Sequence, residues 1–175
     1  IKTALSMGAD IIVNTDADHQ YPGRYIQELI APILAGKADL VIGDRQVGKN
    51  FHFSPIKRVF QVMGSWLIRR ISQTDAPDAP SGFRAFSRYS ALRLNVYNSY
   101  SYTLENLIQA GRERMALAYI PIETNPAKRP SRLHSGILNF IWRQTGVIVR
   151  SYIIYQPLRS FSLFGLPFLV AGGSL

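Results

Sequence analysis

The sequence has 175 residues, enough for one domain with a hydrophobic core, and at 47% apolar residues it excludes a disordered chain. It contains no cysteine, which excludes a disulfide framework, a cysteine-ligated zinc site and a thiol nucleophile. The formal net charge of +9 calls for a negatively charged partner: a phosphorylated substrate, an anionic lipid surface or nucleic acid.

In chain order, Ile1 to Gly8 reads as the end of a helix with a glycine stop. Asp10 to Gln20 follows as a short buried strand, Ile11 to Asn14, running into two acids one residue apart, Asp16 and Asp18. If the chain stays extended there, residues i and i+2 point the same way, and Asp16, Asp18 and Gln20 offer three oxygen-bearing side chains on one side. Hard cations such as Mg²⁺ take oxygen ligands and complete their shell with phosphate and water. A bare Asp-x-Asp is short and common in turns. Here an apolar strand precedes it, and Tyr21-Pro22-Gly23 with an amphipathic helix follows it. Carboxyl ends of strands are where open α/β sheets hold ligands.

Tyr25, Ile26, Leu29, Ile30, Ile33 and Leu34 recur at helical spacing, from a start near Pro22 to a stop at Gly36. Ala38 to Gly43 reads as a second strand ending at Asp44-Arg45. Helix and strand alternating twice predict parallel β/α units and a mostly parallel sheet. A longer helix is predicted from Ser54 to Ile71, with Ile56, Val59, Phe60, Met63, Leu67 and Ile68 on one face. A polar loop with Asp75 and Asp78 leads to Ser81-Gly82-Phe83-Arg84-Ala85-Phe86-Ser87, strand-like by alternation. A helix from about Thr103 to Gly111 carries Glu105, Met115 to Ile122 is a further strand, and Asn125 to His134 is a basic loop.

The last forty residues change character. Ile137, Phe140, Ile141, Ile148, Tyr152 and Tyr155 alternate with Arg143 and Arg150, a pattern suited to an amphipathic helix in a membrane interface or one packed on its own domain. From Phe161 to Leu175 there is no charge. That run falls short of the roughly 20 residues a bilayer span needs, so it reads as the start of a transmembrane segment or as a buried helix. Three sections are therefore expected: 1–134 as an α/β domain, 135–156 as an amphipathic interfacial helix and 157–175 as the start of a transmembrane region. Both ends interrupt a pattern, and the sequence is expected to be an internal piece of a longer protein.

Five motifs stand in one order: Asp16-Ala17-Asp18-His19-Gln20-Tyr21-Pro22, Ile42-Gly43-Asp44-Arg45, Ser81-Gly82-Phe83-Arg84-Ala85-Phe86, Tyr102-Thr103-Leu104-Glu105 and Arg129-Pro130-Ser131-Arg132-Leu133. Together they resemble glycosyltransferase family 2, and within it the dolichyl- or polyprenyl-phosphate sugar synthases. The resemblance implies an α/β GT-A fold whose early strands precede Ile1. It implies a Mg²⁺ or Mn²⁺ ion, a nucleotide-sugar donor, a polyprenyl phosphate acceptor and a site on the cytoplasmic face of a membrane. It implies Asp18 and Gln20 as metal ligands, with Asp16 on the donor or metal. Arg84, Ser131 and Arg132 are implied near the phosphates, and Arg45 near the acceptor phosphate or the donor. In the basic loop, Pro126 and Arg129 depart from the family pattern, so only Ser131 and Arg132 carry over.

The acceptor decides whether a base is needed. A phosphate monoester has a second pKa of about 6 and is mostly ionised at neutral pH, so positioning is enough. A sugar hydroxyl needs a carboxylate, and Asp75, Asp78 and Glu105 are the candidates, although Glu105 could instead pair with Arg84. A family 2 transferase acting on a sugar hydroxyl, and a non-catalytic basic membrane module, are the other readings. A nucleic-acid binder fits least, because the acids sit in the predicted cleft.

Overall fold

In this computed structural model, residues 1–46, 55–95 and 102–126 are described, together with ten scattered residues beyond 145. The side chains of 55–61 are not among them. The chain separates into two compact units, Ile1–Ser131 and Arg132–Leu175. In the second, the described residues, Gly146, Val149 and Ile153 among them, are helical. Among the described residues no helix is long and apolar enough to cross a membrane. The predicted interfacial helix and transmembrane start fall mostly outside the described residues.

The first unit is built on four strands: β1 (Ile11–Asn14), β2 (Leu40–Asp44), β3 (Arg84–Ser87) and β4 (Leu117–Pro121). Their order across the sheet is β1-β3-β2-β4. The helices are α1 (Lys2–Ser6), α2 (Ile26–Leu34), α3 (Pro55–Ser72), α4 (Arg88–Arg93) and α5 (Tyr102–Arg112). Gly8 and Gly36 close α1 and α2 with positive φ, 85° and 65°, the left-handed conformation a glycine adopts without a Cβ penalty.

The sheet is mixed, which corrects the mostly parallel expectation. β3 lies between β1 and β2 and is antiparallel to both, while β4 runs parallel to β2. The reason lies in how the chain arrives. After α3, the loop 73–83 brings it to the carboxyl ends of β1 and β2, so β3 enters the sheet from that edge and must run backwards. Register makes this concrete: Asn14 pairs with Arg84, Arg84 with Ile42, and Ile42 with Tyr119. Asp16, Gly82, Arg45 and Ile122 all lie just beyond that row, at one mouth.

Strand alternation sorts the core. Val13, Ala85, Val41 and Ala118 share the face covered by α2, where Leu29, Tyr21, Phe83 and Ile122 complete a cluster. Tyr21 and Phe83 stack there at 5.2 Å. On the other face Leu40, Ile42, Arg84 and Phe86 are wholly buried. The helix predicted after Pro22 begins as a 3-10 turn, Gly23–Tyr25, before α2 proper. The short helix α4 follows β3 at once, its start capped by the Ser87 hydroxyl, which accepts from the Ser90 N–H.

α3 and α5 pack so closely that a Cβ at Gly111 would lie 1.8 Å from the Ser72 carbonyl oxygen, whereas a Cβ at Gly64 of α3 would meet nothing within 4 Å. Gly111→Ala is therefore expected to destabilise the domain by about 1–3 kcal/mol, and Gly64→Ala to stabilise it by about 0.5–1 kcal/mol. Thermal unfolding of the two variants beside the parent checks this. Equal effects of the same sign would contradict the packing described.

Candidate functional site

Asp16 and Asp18 follow β1, but the chain does not stay extended. It turns over residues 17–19, with His19 at φ 62°, and the Asp18 Oδ1 accepts the Gln20 N–H at 3.1 Å. This side-chain turn, and not strand alternation, brings the two acids together. Their proximity shows in the electrostatics. Partial enclosure pushes the Asp16 carboxyl above its ordinary range, and the Asp18 charge pushes it further, while Arg45 pulls it back. Asp16 nonetheless remains open to solvent.

The turn is pinned from the far side of the sheet. Asn125 donates its backbone N–H to the Gln20 carbonyl and its side-chain amide to the His19 carbonyl, each at 2.9 Å. Ile122 N–H donates to the Asp44 carbonyl at 2.8 Å. Residues 122–125 thus tie the ends of β1 and β2 into one rim. Ser131 and Arg132, implied near the phosphates, lie beyond this segment and outside the described residues.

Gly82 forms the floor beside Asp16. Its N–H donates to the Tyr21 hydroxyl at 3.3 Å. Its carbonyl accepts from the Asn14 amide at 3.0 Å and, more weakly, from the Tyr102 hydroxyl at 3.4 Å. The same Asn14 amide donates to the Tyr102 oxygen at 2.7 Å. A Cβ on Gly82 would stand 2.9 Å from one Asp16 carboxylate oxygen and 3.2 Å from the other. So the backbone at 82 approaches the carboxylate as only glycine allows. Burial pushes the Tyr21 and Tyr102 phenols up, which keeps both protonated at neutral pH. Asn14 is a site residue that sequence reading missed. The signal was there: a polar residue ending an otherwise apolar strand, two positions before the first acid.

Arg45 and Arg84 are placed differently from one another. Arg45 is buried against Asp78: its Nε reaches Oδ2 and its Nη2 reaches Oδ1, both at 2.7 Å, and its own backbone N–H also donates to Oδ2. Burial alone would lower the Arg45 pKa, but the Asp78 hydrogen bonds and charge outweigh it and hold the guanidinium firmly cationic. Arg84 is fully buried. Its Nε donates to the Ser81 carbonyl, its Nη1 to that of Thr103 and its Nη2 to that of Ala79, at 2.7–2.8 Å. Burial pulls it down to about 10, so it still carries its charge at neutral pH. These bonds fasten the 79–81 loop and the start of α5 to β3; they do not run to Glu105.

The three candidate bases stand apart. Both oxygens of Asp78 are engaged by Arg45. Glu105 is buried in the first turn of α5. Asp75 is exposed, and its charge, after burial, helps push the Tyr119 phenol up to about 12. Among the described residues no three His, Asp or Glu side chains converge to hold a metal. A cation at Asp16 and Asp18 therefore needs further oxygens from an amide such as Gln20, from water or from a phosphate-bearing ligand, the donor set Mg²⁺ and Mn²⁺ accept.

No family model matches the chain. It is 32% identical over 132 residues to a UDP-N-acetylglucosamine–dolichyl-phosphate N-acetylglucosaminyltransferase of Methanococcus voltae, covering 71% of this chain and 51% of that protein. This likeness supports the resemblance to the glycosyltransferases of family 2. An uncharacterized protein of Methanocaldococcus jannaschii is 28% identical over 129 residues, covering 71% of this chain and 53% of its own length. The chain thus spans about half the length of the curated relatives it matches. Among solved structures, glucosyl-3-phosphoglycerate synthase from Mycobacterium tuberculosis, in complex with Mn²⁺, UDP and phosphoglyceric acid, superposes with a TM-score of 0.63 at 18% identity. The match covers 88% of this chain and 51% of that one. The same enzyme with Mn²⁺, UDP-glucose and phosphoglyceric acid gives 0.60 at 19% identity, covering 88% and 52%. At these identities the likeness is one of fold: the α/β GT-A fold expected of family 2, with its sheet mixed.

Three measurements test this site. Asp18→Asn should lower the Asp16 pKa, read by ¹³C NMR titration of the carboxyl, because the Asp18 charge is one of the two causes raising it. The raised value also carries a sign for stability. Folded Asp16 holds its proton more tightly than the unfolded chain, so without a bound cation stability falls as pH rises from the ordinary carboxyl value through the folded one. Asp16→Asn should abolish that fall. Separately, Asp78→Ala leaves a buried guanidinium unpaired and should cost about 3–5 kcal/mol in urea unfolding. A loss below 1 kcal/mol would contradict the buried fork.

Proposed function

We propose that this protein is an inverting, metal-dependent glycosyltransferase that moves a sugar from a nucleoside diphosphate to a polyprenyl phosphate at the cytoplasmic face of a membrane. The observation that carries the reading is the acid pair at the carboxyl mouth of the sheet. The Asp16 carboxyl, its proton affinity raised by burial and by the Asp18 charge, sits against the backbone floor at Gly82. In water the repulsion between the two acids is a cost, and a divalent cation turns it into binding energy.

Asp16, Asp18 and Gln20 would hold Mg²⁺ or Mn²⁺, which when bound stabilises the negative charge a departing diphosphate develops. Arg45 is proposed to face the acceptor phosphate or the donor at the same mouth, its guanidinium oriented by the fork with Asp78, which offsets most of its charge at a distance. Ser131 and Arg132 are proposed for the phosphates. Arg84 is proposed as a positioning residue that acts through the 79–81 loop rather than by touching phosphate. Residues 1–134 would form the sugar-transferring part, 135–156 an interfacial helix and 157–175 the start of a membrane segment.

Support for the acceptor comes from the Methanococcus voltae relative, whose name gives a dolichyl phosphate. One solved neighbour is a complex with UDP-glucose, Mn²⁺ and phosphoglyceric acid, which supports a nucleotide-sugar donor and a phosphate-bearing acceptor. The buried, fully engaged Asp78 further favours an acceptor that needs no base.

Sugar transfer from a panel of nucleotide sugars to a polyprenyl phosphate, assayed on the protein at its full native length, should require Mn²⁺ or Mg²⁺. It should fall about 10²–10³-fold in kcat on Asp18→Ala. Transfer that persists in EDTA, or an Asp18→Ala variant of unchanged rate, would overturn the reading. Transfer to a sugar hydroxyl but not to a lipid phosphate would leave the class and replace the acceptor.

A further inference from the structure

α3 is amphipathic the wrong way round for a helix of a water-soluble surface. Among its described side chains, those it buries are Ser65, Ile68 and Ser72, at 3%, 0% and 1% exposure, spaced i, i+3 and i+7 on the face that packs against α5. On the opposite stripe Val62, Met63, Trp66 and Leu67 are 48%, 54%, 51% and 38% exposed. Single exposed apolar residues are ordinary. Four contiguous ones over two turns, including a tryptophan, form a patch that marks an interaction surface.

The charges name the partner. The eighteen residues of α3 include Lys57, Arg58, Arg69 and Arg70 and no acid. Arg70 places its guanidinium 5.8 Å from the centre of the Trp66 ring, at the end of the apolar stripe. Tryptophan beside arginine on a helix with only positive charge is the composition that lies in the headgroup layer of an anionic bilayer: the ring enters the acyl boundary and the guanidinium stays with the phosphates. A second copy of this helix would bring like charges together, with no acid in it to pair them.

We infer that the exposed face of α3 docks on an anionic lipid surface. The inference deepens the membrane half of the function proposed above and adds a contact within the sugar-transferring part itself. α3 runs directly into loop 73–83, whose Asp78 grips Arg45 and whose Gly82 floors the acid pair. A bilayer against α3 would therefore lie one loop away from the mouth. That suits an acceptor whose tail stays in lipid while its phosphate reaches the rim.

The test uses the whole chain carrying Trp142→Phe, which leaves Trp66 as the sole tryptophan, because the sequence has two. With phosphatidylglycerol vesicles the Trp66 emission should shift to the blue and be quenched by brominated lipid, and pure phosphatidylcholine should give a much weaker response. Trp66→Ser combined with Leu67→Ser should weaken partitioning to phosphatidylglycerol at least tenfold without lowering Tm, since neither residue is buried. The inference is overturned if the protein floats with vesicles while Trp66 emission stays unchanged. It is also overturned if the double variant partitions as the parent does, or if emission is already blue-shifted without lipid and rises with protein concentration, which would assign the face to a second copy. A lowered Tm overturns it too, by showing that the stripe is packed. Transfer to a short, water-soluble prenyl phosphate reports on the sugar-transfer reading alone. Its failure leaves the vesicle result standing, and its persistence in the double variant separates docking from chemistry.

Discussion

The buried guanidinium of Arg84 is the constraint on which the site depends. A charge without any exposed surface is tolerated only if its donors are met, and here three carbonyls meet them, from Ala79, Ser81 and Thr103. Those carbonyls belong to the end of the α3–β3 loop and to the start of α5, so one side chain locks two segments onto the strand. A lysine could not do this, since its single ammonium lacks the planar fork. Once 79–81 is fixed, Gly82 has one place to go. Tyr21 holds its N–H, Asn14 and Tyr102 hold its carbonyl, and its missing Cβ leaves space for the Asp16 carboxylate.

That arrangement follows from the reversal of β3. A parallel strand would carry its first residues to the opposite edge and deliver its last ones to the mouth. Because β3 is antiparallel, its first residue, Arg84, pairs with Asn14 at the end of β1 and with Ile42 near the end of β2. The loop before it, and not the one after it, becomes part of the site. The Ser-Gly-Phe-Arg stretch thus owes its place at the mouth to topology, with its arginine facing inward and its glycine facing the acids.

How much of this could be read from the residues depends on the range of the interaction. Local patterns were legible: the four strands, α2, α3 and α5 follow from apolar spacing, and the glycine stops at Gly8 and Gly36 from the need for positive φ. Direction was not. Helix and strand alternation suggests parallel crossovers, and only the return loop 73–83 distinguishes β3. The acid pair was legible as a site, but its geometry was derived from an extended chain. The Asx-type turn at Asp18 supplies it instead, because a side-chain carboxylate competes with strand pairing for the backbone N–H. The Arg45–Asp78 fork was hidden for a different reason. Its partners are 33 residues apart, and a loop aspartate has no periodic signature. Sequence reading offered Asp78 as a base and Arg84 as a phosphate ligand. Burial turns both towards holding the frame.

The electrostatic consequence is a mouth with fixed and movable charge kept separate. Arg45 is tied by two short bonds to Asp78, so the pair presents little net charge at a distance, and its guanidinium is already oriented. Asp16 feels that guanidinium as a modest pull downward, smaller than the upward push of burial and of Asp18. Among these described residues the unbalanced charge is therefore negative and belongs to the two aspartates. A lone diphosphate would be repelled there, whereas a diphosphate arriving with a divalent cation would not be. On the function proposed above, a diphosphate with its cation would bind ahead of the diphosphate alone, as a consequence of the two carboxylates at the end of one strand and of the paired arginine beside them.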